Sequence, residues 1–91
     1  MADILFFVKT DSKAEKSYRK MPEFYRRRIF ELGKVLAVKP VPAQEYNIVK
    51  LEGTEDTYRI RIGDIRIVYR VYWELRHIDI QKIEWRGRAY K

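Results

Sequence analysis

The 91-residue chain has no cysteine and a single histidine. Without thiols, neither a disulfide framework nor a thiolate zinc site can hold the fold, which argues against a stapled secreted mini-protein. One imidazole is also too few for an ordinary zinc cluster. Long hydrophobic runs are missing. The segment Ile4-Leu5-Phe6-Phe7-Val8 is too short and too poorly flanked for a signal peptide or a membrane span. No nucleophile elbow and no phosphate-binding glycine loop occurs. These absences predict one domain over residues 1–91 with a single modest core, located in the cytoplasm, with no cofactor, metal or membrane.

What is present is positive charge. Twenty Lys and Arg against thirteen Asp and Glu give a net charge of +7, which bears on partners rather than on fold. Nucleic acid, an acidic protein or an anionic surface all fit. Residues 1–45 carry +4 (10 basic, 6 acidic) and residues 46–91 carry +3 (10 basic, 7 acidic), so no basic tail accounts for the excess. The second half, however, has seven Arg to three Lys. Arginine presents a planar fork that pairs with phosphate through two bonds, so this bias suits directed anion contacts.

Asp3 to Lys9 is rich in apolar and aromatic residues and reads as a first strand, buried on both faces or at the sheet centre. In "TDSKAEKSYRKM" the Ser12–Glu15 spacing is that of a capping box, with Asp11 a second possible cap, so a short helix is predicted there. Pro22 suits the first position of a second helix, "PEFYRRRIFELGKVLAVK", whose Tyr25, Ile29, Leu32 and Leu36 share one face. Lys39-Pro40-Val41-Pro42 then forms a stiff connector. A brief apolar stretch in "YNIVKLEGTED" and a loop at Gly53 to Asp56 precede three more strands, Tyr58–Ile62, Ile65–Tyr72 and His77 to about Trp85. The order predicts an α+β fold: a small antiparallel sheet with a mixed edge, an N-terminal strand, and a two-helix hairpin packed on one face.

The segment "YRIRIGDIRIVYR" should fold about Gly63-Asp64 as a type II′ hairpin. That turn pairs Ile62 with Ile65, Arg61 with Arg66, Ile60 with Ile67, Arg59 with Val68 and Tyr58 with Tyr69. One face is then apolar and aromatic. The other holds Arg59, Arg61, Arg66, Val68, Arg70 and Tyr72. Like charges directly opposite one another cost on the order of a few tenths to 1 kcal/mol. Stability alone favours Glu or Thr across from Arg61, so the Arg61/Arg66 pair points to an anion that sits between them. The terminal "EWRGRAYK" adds Arg86, Arg88, Tyr90 and Lys91. Arginines interleaved with tyrosines are a composition that holds single-stranded nucleic acid. Arg26-Arg27-Arg28 reads as the solvated side of the second helix, and His77 as a turn or edge residue.

Taken together, "KLEG" at 50–53, "YRIRIGDIRIVYRV" at 58–71 and the basic end "WRGRAYK" resemble the RelE-type toxins of the RelE/ParE toxin–antitoxin superfamily, over most of the chain. The resemblance implies cleavage of messenger RNA in the ribosomal A site. It also implies a RelB-like antitoxin that wraps the toxin and covers its basic face, and a toxin that is itself monomeric. Carried over residue by residue, it makes Arg61, Arg66, Arg86 and Tyr90 catalytic and Lys50, Arg59, Arg70 and Arg88 substrate-binding. Typical members have lysines at the positions of Arg59 and Arg61. Arginine remains protonated in proteins, so no general base is evident in this sequence. The same fold also occurs in relatives that poison DNA gyrase without nuclease chemistry, and that alternative stays open here.

Overall fold

The computed structural model describes residues 5–85. In chain order the elements are β1 (Phe7–Thr10), α1 (Ser12–Arg19), α2 (Glu23–Val38), β2 (Asn47–Lys50), β3 (Thr57–Ile62), β4 (Ile65–Tyr72) and β5 (His77–Trp85). They build one sheet in the order β1-β5-β4-β3-β2. β2 to β5 are antiparallel neighbours, and β1 runs parallel to β5, so the mixed-edge α+β plan is the observed one.

Alternation throughout β4, and in β3 from Arg59 onward, separates the two faces of the sheet. Ile60, Ile62, Ile65, Ile67, Tyr69 and Val71 are buried, together with Ile78, Ile80 and Ile83 of β5. Ala14 of α1, Met21, and Ile29, Leu32 and Leu36 of α2 close over them to complete one core. The periodicity of the second helix therefore marks its buried side. Tyr25, the fourth residue of that stripe, is only half-buried and packs its ring against Trp85 at 5.7 Å.

Three local expectations are corrected. β1 is an edge strand rather than a central one. Its outward residue Phe7 is 64% exposed, and Leu5 just before it is 60% exposed. An apolar run at an edge has the same composition as a buried strand, so composition does not distinguish the two. The Ser12–Glu15 capping box does not form, because Ser12 is already the first residue of α1 and Asp11 occupies the cap position without a side-chain cap bond. The Glu15 carboxylate instead accepts from Arg19 one turn on, at 2.8 Å. Pro22 caps α2 from outside, its ψ of 153° being extended, and the helix stops at Val38.

The proline connector is anchored to the sheet. Pro42 is fully buried, and the Tyr69 hydroxyl donates to the Pro40 carbonyl at 2.7 Å. Burial pushes the Tyr69 pKa well above that of a free phenol, with the neighbouring Tyr58 adding to the rise. Above about pH 10 the unfolded chain loses this proton while the folded chain keeps it. The unfolded state then binds fewer protons, and stability falls as pH rises. Tyr69→Phe is expected to cost about 1 kcal/mol at neutral pH through the lost hydrogen bond, and to flatten the alkaline loss. Urea unfolding on either side of pH 10 measures both.

Candidate nucleic-acid interface

Because both helices lie on one side, the other face of the sheet is open. The hairpin register fixes what stands there. Arg61 faces Arg66 across β3 and β4, and Arg59 faces Val68, as the two-residue turn dictates. Gly63 at the first turn position has φ +57°, a left-handed conformation that costs glycine little, and Asp64 does not share it, as a type II′ turn requires.

The outer strands complete the surface. Asn47 and Val49 of β2 pair with Arg61 and Arg59. On the other side, Glu84 of β5 pairs with Arg66, Lys82 with Val68, Asp79 with Arg70 and His77 with Tyr72. A carboxylate therefore does flank the arginine pair, but beside Arg66 rather than across from Arg61, and it offsets only part of the repulsion. Its ion pair at 3.1 Å is with Lys82. Among the described residues, Arg59, Arg61 and Arg66 enter no ion pair. Their guanidinium groups are uncommitted, with Arg61 exposed and the other two half-buried.

Arg70 differs. Its guanidinium pairs with Glu55 at 3.3 Å and lies 4.6 Å from the centre of the Tyr72 ring. Its Nε and the Oδ1 of the facing Asp79 are both buried without a partner. Lys50 is in register with Tyr58, whose ring stacks on buried Tyr69, so it extends from the helix side of the sheet, away from the arginines. The structure thus brings Arg59, Arg61, Arg66 and Arg70 onto one face and leaves Lys50 apart. Arg86, Arg88 and Tyr90 lie outside the described residues.

The triple arginine of α2 behaves as a helix surface. Arg26 donates to the Met21 carbonyl, Arg27 pairs with Glu23 at 3.0 Å, and Arg28 lies over Phe24. His77 is at the start of β5, edge-on to Phe7 and Tyr72.

The sequence did not reveal a groove beside the arginines. β1 covers β5 only along His77–Ile80, so among the described residues Gln81–Trp85 has no strand on that side. A groove of about 900 Å³ opens between this stretch and α1. Arg66, Lys82 and Glu84 line it from the sheet, and Lys13, Ser17 and Lys20 line it from the helix. The signal available in the sequence was the i, i+4, i+7 spacing of Lys13, Ser17 and Lys20 on one helical face. What faced them depended on where β1 ends.

Comparison with known proteins gives concordant results. Residues 8–90 match the sequence profile of the family described as ParE toxin of type II toxin-antitoxin system, parDE. The toxin-family protein RelE1 of Methanocaldococcus jannaschii is 35% identical over 86 residues, spanning 94% of this chain and 96% of its own. The structure is similar to the archaeal RelE–RelB complex from Pyrococcus horikoshii OT3, with TM-score 0.83 and 38% identity, covering 93% of this chain and 99% of that one. It is also similar to the isolated RelE toxin of E. coli, with TM-score 0.71 and 27% identity, covering 93% and 90% of the two chains.

Proposed function

The chain belongs to the RelE/ParE superfamily, as a RelE-type toxin of a toxin–antitoxin pair, and from that premise we propose that it is an endoribonuclease that cleaves messenger RNA in the ribosomal A site. The observation that carries this reading is the facing Arg61/Arg66 pair, with Arg59 alongside, on a sheet face that no helix covers among the described residues. Three uncommitted guanidinium groups within two registers of one another make a ready seat for a phosphodiester. Their work is positioning and electrostatic: they align a ribose 2′-hydroxyl with the adjacent phosphate and stabilise the charge that grows on its oxygens. Arg61 and Arg66 act on the reacting phosphate, Arg59 and Arg70 bind the flanking backbone, and by resemblance Arg86 and Tyr90 join the catalytic set and Arg88 the binding set. Lys50 sits too far round the sheet edge to join the arginines, so its contact is with another part of the ribosome–mRNA complex.

A RelB-like antitoxin is the partner that this reading requires, as in the P. horikoshii RelE–RelB complex. Its task is to cover the basic face, with the toxin monomeric until then and the pair acting in the cytoplasm. Among the described residues no helix is long and apolar enough to cross a membrane.

A second reading is favoured by one observation, the match to the ParE profile. In that case the arginine face binds DNA gyrase and no RNA is cut. Primer extension on messenger RNA from cells induced for this protein separates the two. Cleavage ends within coding regions are expected. Intact transcripts together with inhibited supercoiling would assign the chain to the gyrase poisons instead.

A further inference from the structure

Because arginine remains protonated, cleavage among Arg59, Arg61 and Arg66 lacks an evident proton acceptor. Resting on the nuclease reading above, we propose that Glu84 is the general base, the group that takes the 2′-hydroxyl proton. Glu84 is in register with Arg66, and facing side chains on neighbouring antiparallel strands have Cβ atoms about 5 Å apart. A phosphate held by Arg66 therefore places its own nucleotide within reach of the Glu84 carboxylate. Glu84 and Arg66 also line the same groove between β5 and α1, which gives the ribose room to approach from the open edge.

The other acids on this face are badly placed. Asp79 is five residues along β5, roughly 16 Å away at about 3.3 Å per residue, and it faces Arg70. Glu55 lies in the loop before β3, where it is paired with Arg70. His77 is farther still, at the start of β5. Among the described residues, Glu84 is the one carboxylate in cross-strand register with Arg59, Arg61 or Arg66.

The charged groups around Glu84 are Arg66 on β4 with Arg61 beyond it on β3, Lys82 on its own strand, and, across the groove, Lys13 on α1 and Lys20 just past its end. All are cationic, so they draw the phosphodiester toward the carboxylate.

The 2′-hydroxyl proton passes to the Glu84 carboxylate as the 2′-oxygen forms a bond to phosphorus. The bond from phosphorus to the 5′-oxygen of the next nucleotide breaks, and that oxygen takes a proton from water. The products are a 2′,3′-cyclic phosphate and a 5′-hydroxyl, and Glu84 returns its proton to the hydroxide left in solvent.

The test is single-turnover cleavage of mRNA on programmed ribosomes across mildly acid to neutral pH, with wild type, Glu84→Gln and Glu84→Asp, each checked by thermal unfolding. The wild-type rate should rise with pH as the carboxylate ionises. Glu84→Gln should be slower by about 10²–10⁴-fold and should lose that rise. Glu84→Asp should be slower yet keep it. A Glu84→Gln protein that cleaves at the wild-type rate, or more slowly with the acid limb intact, overturns the assignment and leaves the nuclease reading standing. Absence of cleavage by the wild type overturns both.

Discussion

Arg66→Ala is expected to slow ribosome-dependent mRNA cleavage by about 10²–10³-fold while leaving the fold nearly as stable as before. Arg66 stands between Arg61 on β3 and Glu84 on β5. Removing it relieves a repulsion of a few tenths to 1 kcal/mol. The same change loses contacts of its half-buried stem, so the two contributions oppose each other in the stability. In the rate nothing opposes the loss. A guanidinium aimed at developing phosphate charge has no substitute in alanine, and lysine supplies charge without the planar fork, so Arg66→Lys should recover only part of the rate. Arg61→Ala should behave in the same sense, and the double variant should lose less than the sum if both grip one phosphate. Rate constants set beside urea-unfolding midpoints check this. A stability loss that parallels the rate loss would reassign Arg66 to the structure.

The largest expected effect on stability lies at Leu32. Its side chain is fully buried in α2, inside the core that the helices share with the sheet. Leu32→Ala should cost about 2–5 kcal/mol through lost transfer energy and the cavity left behind. Small domains are stable by only about 0.05–0.15 kcal/mol per residue, so this change removes much of the margin. Phe30 provides the control on the same helix. It is 58% exposed with Lys34 over its ring, and Phe30→Ala should stay within about 0.5 kcal/mol. Denaturant melts of the two variants test whether the core lies on the side of α2 assigned to it.

The hairpin shows why part of this molecule could be read in advance. A two-residue turn leaves one register, and all five pairs expected about Gly63-Asp64 are found. With the register came the composition of the open face, and hence the facing arginines. The slip between Val68 and Tyr69 that leaves Gln81 unpaired was not legible, because it lies between strands joined by a separate loop. The capping box failed for a local reason, since Asp11 takes the cap position and Ser12 is already the first residue of α1. β1 was misplaced because an apolar composition does not say whether one neighbour strand or two will cover it. That error hid the groove, since only the position of β1 reveals that part of β5 is left open. Lys13, Lys20, Lys82 and Glu84 could not be recognised as neighbours until the sheet order was known.

The parallel pairing of β1 with β5 joins residues 7–10 to residues 77–80. The chain that emerges first thus waits for a partner made near the end of the described sequence. Local contacts in the helices and in the β3–β4 ribbon can form as synthesis proceeds, whereas closing a loop of this length comes late and carries the larger entropy cost. Until residues 77–85 are added, β1 has no strand to dock on and Arg66 has no Glu84 beside it. The arginine-bearing face and its flanking carboxylate are therefore completed last, by the strand that lies between β1 and β4.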